Sequence, residues 1–492
     1  MSPDRGRDRV VVVGAGSAGC VVAARLAEAG IPAVLLEAGP ADGRIPSPDS
    51  AGLIGPERHP DRYWPPLTAV RDPAQREVDG RHEFWMGRGL GGGSAVNGML
   101  VMPGDRADYD RWARIDGCSS WEADSMAPWL AKAAAVLDPE PRAAVAGTED
   151  LLAAFDDAFA DIGLGPAGTT LDRDRCGVFN PALATRGGNR RTVADAYLQI
   201  GGSDLSIRTG RTVAGLATNG AFVRGVVLAD GETVPATTVV LAAGTVGTAR
   251  LLRTTGLVRH AGDWIRNHAA SAVPFPWPTD RVHGSLPQVH RVARWPSNRS
   301  TPSASVQSAP DLTAVLMGPF TEPVGPTGIV IVMASTVRSH GHLQWDGEGP
   351  RLVSNRLDNS QDLAVLRSGT RTAVAVCRRL AGLAGGNRSV TGRADLDELD
   401  RLTDPEFDDW LIRHPGPVHH AVGSCRMGAG HSDVAVTAAE PGRAGTIPGL
   451  GGVVVADASL FPDLVAGGLQ LPVMAVAERI ASETLLAADG LL

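Results

Sequence analysis

Val10-Val11-Val12-Val13-Gly14-Ala15-Gly16-Ser17-Ala18-Gly19 is the stretch that decides the fold. A short β-branched run passes at once into three glycines in Gly-x-Gly-x-x-Gly spacing. Apolar residues at helical intervals follow, at Val21, Val22, Leu26 and Ala29, so the segment reads strand, tight turn, helix. A second buried strand over Ala33 to Leu36 ends in Glu37 and Ala38, with Glu37 lying 18 residues beyond Gly19. Together these form a β-α-β unit of the kind that holds an ADP moiety. Gly14 is expected to permit the turn, Gly16 to let backbone approach a pyrophosphate, and Gly19 to let helix and strand pack closely. The helix opening at Ser17 and Ala18 would aim its N–H groups at the phosphates, and Glu37 would accept from the adenosine ribose.

The chain has 492 residues, too many for one ordinary core, which predicts a composite or two-domain molecule. A 43% hydrophobic and 20% charged composition is that of a soluble globular protein, and runs such as Ile329 to Ala334 are far too short to span a bilayer. A net charge of -8 argues against nucleic acid as the principal partner. Lys132 is the only lysine, which removes most Schiff-base chemistry. Cys20, Cys118, Cys176, Cys377 and Cys425 form no C-x-x-C pair, so neither a metal site nor a disulfide framework is expected. Met1 to Arg9 is polar and runs directly into a strand, leaving no room for a signal peptide, so the expected location is cytoplasmic.

Working outward, Gly39 to Pro73 is rich in Pro, Asp and Gly and is expected to be an irregular excursion. Trp85 to Met99 carries five glycines in the seven positions from Gly87 to Gly93, the backbone density needed to approach a flat ligand, with Ser94 and Asn97 supplying polar groups. Ser206 to Val240 alternates apolar runs with turn signals, a pattern of small antiparallel strands. Val239 to Gly244 reads as a buried strand ending in glycine, with Thr248 to Leu252 starting a helix. The more polar, Pro-rich region from Trp264 to Pro405 looks like a substrate-facing domain. Gly452 to Ser459 is a strand with an acidic turn, and Pro472 to Leu486 is a helix with Pro in its first turn.

Taken together, the segments Gly87 to Gly98, Leu241 to Leu252, His420-Ala421-Val422-Gly423-Ser424-Cys425-Arg426-Met427-Gly428 and Val455 to Pro462 resemble the glucose-methanol-choline (GMC) oxidoreductases, over Val10 to Leu486. The resemblance implies an α/β composite: a Rossmann-like FAD-binding domain (1–150, 189–268 and 411–492) with a substrate domain built on an antiparallel sheet (151–188 and 269–410). It implies His420 as the base that takes the hydroxyl proton of an alcohol while hydride passes to the flavin, with oxygen or another acceptor reoxidising it. A histidine with an ordinary pKa near ~6.5 suits that task. By position, Val213, Ala243 and Gly244 fall on the adenine side, Asp457 and Ala458 at the pyrophosphate and ribityl chain, and Asn97, Gly98 and Met99 at the isoalloxazine. Trp64, Arg88, Gly91, Gly92 and Ser94 complete the cradle, with Gln470 and Pro472 at the start of the last helix.

Two departures from the family pattern matter. Val96 stands where some members carry a flavin-linking histidine, so FAD is expected to bind without a covalent bond. Gly468 falls where a second catalytic histidine or asparagine is usual, unless Gln470 or a water substitutes. That departure keeps a flavin-containing lyase of the hydroxynitrile lyase type open as the alternative. A flavin-loaded electron-transfer subunit and an NAD-dependent dehydrogenase are further rivals; the latter leaves the segments at Gly87 and Val455 without a role. His419 is expected to orient a strand or seal the pocket, Cys425 and Met427 to pack, and His283, His290, His340 and His342 to be surface residues.

Overall fold

Val10–Val13 lies near the middle of a nine-stranded sheet in a computed structural model. The structure describes residues 10–40, 55–57, 59–70, 82–142, 145–200, 205–278, 288–298, 309–322, 325–346, 349–384, 395–429 and 436–487. The valines pair in parallel with Ala33–Leu36 on one side and Thr238–Leu241 on the other, and all four are buried. A strand covered on both faces has no polar side to alternate with, which is why this run reads as continuous valine. Leu450–Val455 joins in parallel beyond Thr238–Leu241. Val13 is level with Leu36 and Leu241, and Leu241 with Val455, so four strands finish at one edge. The turns beginning at Gly14, Glu37, Ala242 and Ala456 therefore emerge side by side, at the carboxyl end of a parallel sheet, where such folds bind ligands.

Val213–Asn219, Phe222–Leu228 and Thr233–Pro235 form the antiparallel meander expected from the turn residues. Leu205–Arg208 differs: it runs parallel to Ala33–Leu36, because it arrives by a crossover from the helix Val193–Tyr197 rather than by a hairpin. Gly39 to Pro73 is also more ordered than expected. Leu67–Val70 is a strand that pairs with His82–Phe84 and with Gly349–Val353, and these distant partners supply what its local sequence does not advertise. The last helix begins at Gln470 and passes into a π-helical turn over Ile480–Leu485.

A six-stranded sheet, antiparallel except for its outermost pair, takes its strands from Pro166–Thr169, Gly177–Asn180, Ala270–Pro276, Gln288–Trp295, Leu312–Glu322 and Gly325–Ala334. The helix Ser360–Gly382, which the sequence reading did not separate from its polar surroundings, packs on this sheet. Gly369 makes that contact possible, since a Cβ there would stand 2.7 Å from a Leu312 methyl and 2.8 Å from a Val332 methyl. Among the described residues no helix is long and apolar enough to cross a membrane.

The last helix is tied to the first by a buried charge. Glu478, with a fully buried side chain, accepts from Arg25 Nε and Nη2 at 2.8 and 2.7 Å, from the Tyr197 hydroxyl at 2.9 Å and from Lys132 Nζ at 2.9 Å. Burial alone would raise this carboxyl, but Arg25 and Lys132 outweigh it and hold it below its ordinary value. Removing the carboxylate leaves the largely buried Arg25 with only the half-exposed Glu28, at 2.6 Å, as its acid among the described residues, and breaking a buried pair costs roughly 3–5 kcal/mol. Glu478→Ala is expected to lower the unfolding free energy by about that amount in denaturant titrations; a change within ~0.5 kcal/mol would show that the cluster does not hold the two helices together.

Candidate active site

The three glycines of the first turn have different neighbours. A Cβ on Gly14 would lie 2.6 Å from the Ala242 carbonyl oxygen and one on Gly19 1.8 Å from that of Gly14, so both are dictated by packing. Gly16 has no such neighbour within 4 Å and no left-handed backbone; its missing side chain instead leaves open space above the turn. Gly92 closes over it, with a hypothetical Cβ 2.8 Å from the Gly16 Cα, while Gly91 N–H donates to the Ala15 carbonyl at 2.8 Å. The helix Ser17–Glu28 starts here with no side-chain cap and no acid in its first turn. Its leading N–H groups and their partial positive charge are left for an anion, which fits a dinucleotide pyrophosphate.

Two buried carboxylates staple the surrounding turns. Glu37 accepts from Ala15 N–H at 2.8 Å, Gly39 N–H at 2.8 Å and Gly89 N–H at 2.9 Å. A carboxylate has about four acceptor positions, so roughly one remains for a ribose hydroxyl. Asp457 accepts from Gly244 N–H at 2.8 Å, the Thr248 hydroxyl at 2.6 Å and Ser459 N–H at 2.9 Å, joining the turn after Leu241 to the turn after Val455. Its side chain is thus spent on the protein, and any pyrophosphate contact falls to the backbone around Ala458. The Arg88 guanidinium stacks on Trp64 at 5.2 Å and donates to the Ala38 carbonyl at 3.0 Å. Val213 follows closely on Arg211, whose N–H donates to the Glu37 carbonyl, which puts it on the Glu37 side with Ala243 and Gly244 across the turn.

The segment after the glycines is held from behind by Arg190, a buried residue the sequence reading did not single out. Its Nη1 donates to the Ser94 carbonyl and Asn97 Oδ1 at 2.9 and 3.0 Å, and its Nη2 to the Asn97 carbonyl at 2.7 Å. Ser94 uses its hydroxyl internally, donating to the Gly91 carbonyl and accepting from Val193 N–H. Asn97 accepts from Met99 N–H at 3.0 Å and donates to Gln470 Oε1 at 2.8 Å. Met99 has φ of 60°, a left-handed conformation that costs a bulky residue of order 1–3 kcal/mol and persists only when its surroundings impose it. Gln470 Nε2 is buried without a partner among the described residues, a donor that fits a ring carbonyl or ring nitrogen. Val96 is buried against Tyr63 and offers no atom for a covalent link.

His420 lies in the irregular segment just before the bridge residue Val422 and is held at two points. Its backbone N–H donates to Asn267 Oδ1 at 2.8 Å, and Asn267 Nδ2 donates back to the Val418 carbonyl at 3.1 Å. Its ring Nδ1 is 3.0 Å from Nδ1 of His268, and His268 Nε2 is 3.0 Å from the Val465 carbonyl oxygen. A carbonyl oxygen only accepts, so His268 must carry its proton on Nε2. His268 is fully buried, which lowers its pKa to about 4 and keeps it neutral. Its Nδ1 is then a bare acceptor, and the bond is made by a proton on His420 Nδ1. His420 Nε2 is left as a lone pair. Burial first, then His268 and His419, push the His420 pKa well below the usual imidazole value.

His419 accepts from Trp85 N–H at 3.4 Å, lies edge-on to Phe84 and is lowered to about 4, by burial and then by Arg356. Cys425 and Met427 are buried, and burial pushes the Cys425 thiol up to about 12. Gly468 is roomy: a Cβ there meets only the Leu100 carbonyl oxygen, at 3.4 Å. Pro472 is buried in the first turn of the helix Gln470–Arg479, whose start also has no side-chain cap. His340 and His342 are at least partly exposed, and His283 lies outside the described residues. His290 corrects the expectation of a surface residue: it is 2% exposed, because it is the extra residue of a β-bulge turned toward Arg142. The pair Asn267-His268 was passed over altogether, since nothing in its local sequence distinguishes it.

The chain is similar to known proteins over nearly its whole length. The chain is 26% identical to an oxygen-dependent choline dehydrogenase of Chromohalobacter salexigens, over 96% of this chain and 93% of that protein. It is 27% identical to a 5-(hydroxymethyl)furfural oxidase of Methylovorus sp., over 96% and 98%. Among solved structures, pyridoxine 4-oxidase from Mesorbium loti shares the fold with a TM-score of 0.77 at 24% identity, over 96% of this chain and 98% of that one. Formate oxidase from Aspergillus oryzae does so with a TM-score of 0.80 at 19% identity, over 98% of each. Two family models, both described as GMC oxidoreductase, match residues 9–270 and 337–477, and the chain belongs to the GMC oxidoreductase family.

Proposed function

We propose that this FAD-dependent oxidoreductase oxidises a CH–OH group of a small-molecule alcohol with His420 as general base. The observation that carries the reading is the His268–His420 pair, which leaves an unprotonated Nε2 on a histidine beside the cofactor cradle. When bound, FAD supplies a two-electron acceptor for hydride. An alcohol becomes a good hydride donor only as its oxygen gains alkoxide character, so the protein's task is to draw off the hydroxyl proton as hydride leaves. His420 Nε2 receives that proton, and its Nδ1–H remains bonded to His268, which helps to hold the imidazolium in place. Passing the Nδ1 proton on to His268 would only move the single positive charge onto a fully buried imidazole, which burial disfavours.

Val96 supports a non-covalent flavin, and the relatives named as oxygen-dependent and as an oxidase support oxygen as one acceptor. Gly468 is the observation that favours a lyase as second reading, because no second polar side chain stands there to bind the alcohol oxygen. Anaerobic mixing with a panel of alcohols separates the two: bleaching of the oxidised flavin band supports oxidation, and turnover with the band intact supports the lyase.

His420→Ala is expected to slow flavin reduction by about 10²- to 10⁴-fold. His268→Ala should lower kcat by a smaller factor, since it removes the acceptor that fixes the Nδ1–H tautomer of His420; an unchanged kcat contradicts the coupling. In the native enzyme the neutral base is the active form, so activity is lost only as pH falls through the depressed pKa. kcat/KM should therefore show no histidine inflection near ~6.5, and one there overturns the assignment of a buried neutral base. Gly468→Asn places a donor in open space and is expected to raise kcat by up to about tenfold, the value of one hydrogen bond to the substrate oxygen; a slower enzyme with unchanged flavin content would mean that this space is reserved for substrate.

A further inference from the structure

We propose that Arg190 and Asn97 are positioning residues that set the polarity of Gln470, so that its side chain meets the flavin ring as a hydrogen-bond donor and stabilises the reduced cofactor. This deepens the function proposed above and rests on that reading for the place of the flavin. A guanidinium only donates, and Arg190 Nη1 lies 3.0 Å from one terminal atom of the Asn97 amide. Met99 N–H, another group that only donates, lies 3.0 Å from the same atom. That atom is therefore the amide oxygen, and the other end is the NH2 group. Asn97 Nδ2 is 2.8 Å from Gln470 Oε1, so Gln470 must turn its own oxygen toward Asn97. Its Nε2 is then the end that points away.

Gln470 is 7% exposed, and its Nε2 is buried with no hydrogen-bond partner among the described residues. Buried polar groups are rarely left in that state, which points to a ligand atom that accepts. An isoalloxazine ring offers acceptors at its two carbonyl oxygens and at N1 and N5, against a single donor at N3. A Gln470 turned the other way could serve only N3; the orientation fixed by Asn97 serves the acceptors. Reduction gathers negative charge over N1 and the C2 carbonyl, so a preorganised donor there is worth more to the reduced ring than to the oxidised one. The uncapped start of the helix Gln470–Arg479 adds partial positive charge at the same end.

The polarity starts from a short hairpin built against the Ser94 to Met99 turn. Asn189–Arg190 pairs with Thr185–Arg186, and Glu140 fastens the pair by accepting from the Thr185 hydroxyl at 2.7 Å and from Gly187 N–H at 2.9 Å. On one side of Arg190, Arg191 N–H donates to the Ala184 carbonyl and Ala184 N–H to the Met99 carbonyl. On the other, Val193 N–H donates to Ser94 Oγ at 3.0 Å. The guanidinium therefore enters the turn from a fixed frame, and it donates to the Ser94 and Asn97 carbonyls at 2.9 and 2.7 Å as well as to Asn97 Oδ1. Burial lowers the Arg190 pKa to about 10, which leaves it charged, and a donor only, at neutral pH.

The test is the midpoint potential of the FAD-loaded enzyme, measured by anaerobic chemical reduction against a reference dye, so that no alcohol is needed. Gln470→Leu should favour the oxidised ring by about tenfold, a fall of about 30 mV for a two-electron couple. Arg190→Lys keeps a charged group that only donates and should retain most of the native value, while Arg190→Met should fall at least as far as Gln470→Leu. Because Arg190 acts through Gln470, the fall caused by Arg190→Met should shrink when Gln470→Leu is already present. An unmoved or raised potential in Gln470→Leu overturns the proposal, and fully additive falls overturn the relay from Arg190. Should Arg190→Met fail to hold FAD, Asn97→Asp takes its place. The new carboxylate oxygen turns Gln470 Nε2 toward itself, so adding Gln470→Leu should no longer lower the potential; an undiminished fall rejects the relay. The two readings fail separately. If no alcohol bleaches the flavin, oxidation is lost while the shifted potentials still support the relay; unmoved potentials reject the relay and leave alcohol oxidation standing.

Discussion

A carbonyl oxygen cannot give a proton, and the arrangement around His420 depends on that fact. Val465 faces His268, His268 faces His420, and each bond fixes the proton of the next, ending in a bare Nε2. The anchor is itself immobilised. Arg111 donates to the Leu464 carbonyl, the Trp112 indole to the Asp463 carbonyl, and Ala466 N–H to Asp108. Asp463 also pairs with Arg111 and Arg266, so the loop that presents Val465 is gripped from two elements distant in sequence. A proton position at the proposed reaction centre is thereby set by packing some residues away.

The cofactor side is organised on the same principle of spending polar groups on the protein first. Glu37 and Asp457 are largely satisfied by backbone N–H groups, and Ser94 and Asn97 by their own segment and its neighbours. These bonds hold four chain segments at the common edge of the parallel strands. Among the described residues, groups on this side left for a ligand to meet include the uncapped helix start at Gly16 and Ser17, the open face of Gly16, and Gln470 Nε2. A rigid frame with a few unsatisfied donors is what preorganised binding requires.

The parts of this design that were legible in the sequence are those written in local pattern. The valine run, the glycine spacing and Glu37 follow from one β-α-β unit, and the meander after Val213 from its turn residues. His420 was marked by the segment behind it. His268, Asn267, Arg190 and Arg142 were not, because each acts through partners roughly ninety to one hundred and fifty residues away, a separation no periodicity encodes. The strand Leu67–Val70 was hidden for the same reason, its pairing being with residues near 350. His290 was misjudged because burial depends on a bulge whose register only the folded sheet reveals.

The most direct measurement is nitrogen-15 NMR of the histidine side chains in labelled enzyme, with His420 assigned by substitution. The account predicts that neutral His420 carries its proton on Nδ1, with a pyridine-like Nε2, and that the two nitrogens of His268 show the same reversal, Nε2 protonated and Nδ1 bare. A His420 protonated on Nε2, or a charged imidazolium at neutral pH, would contradict it.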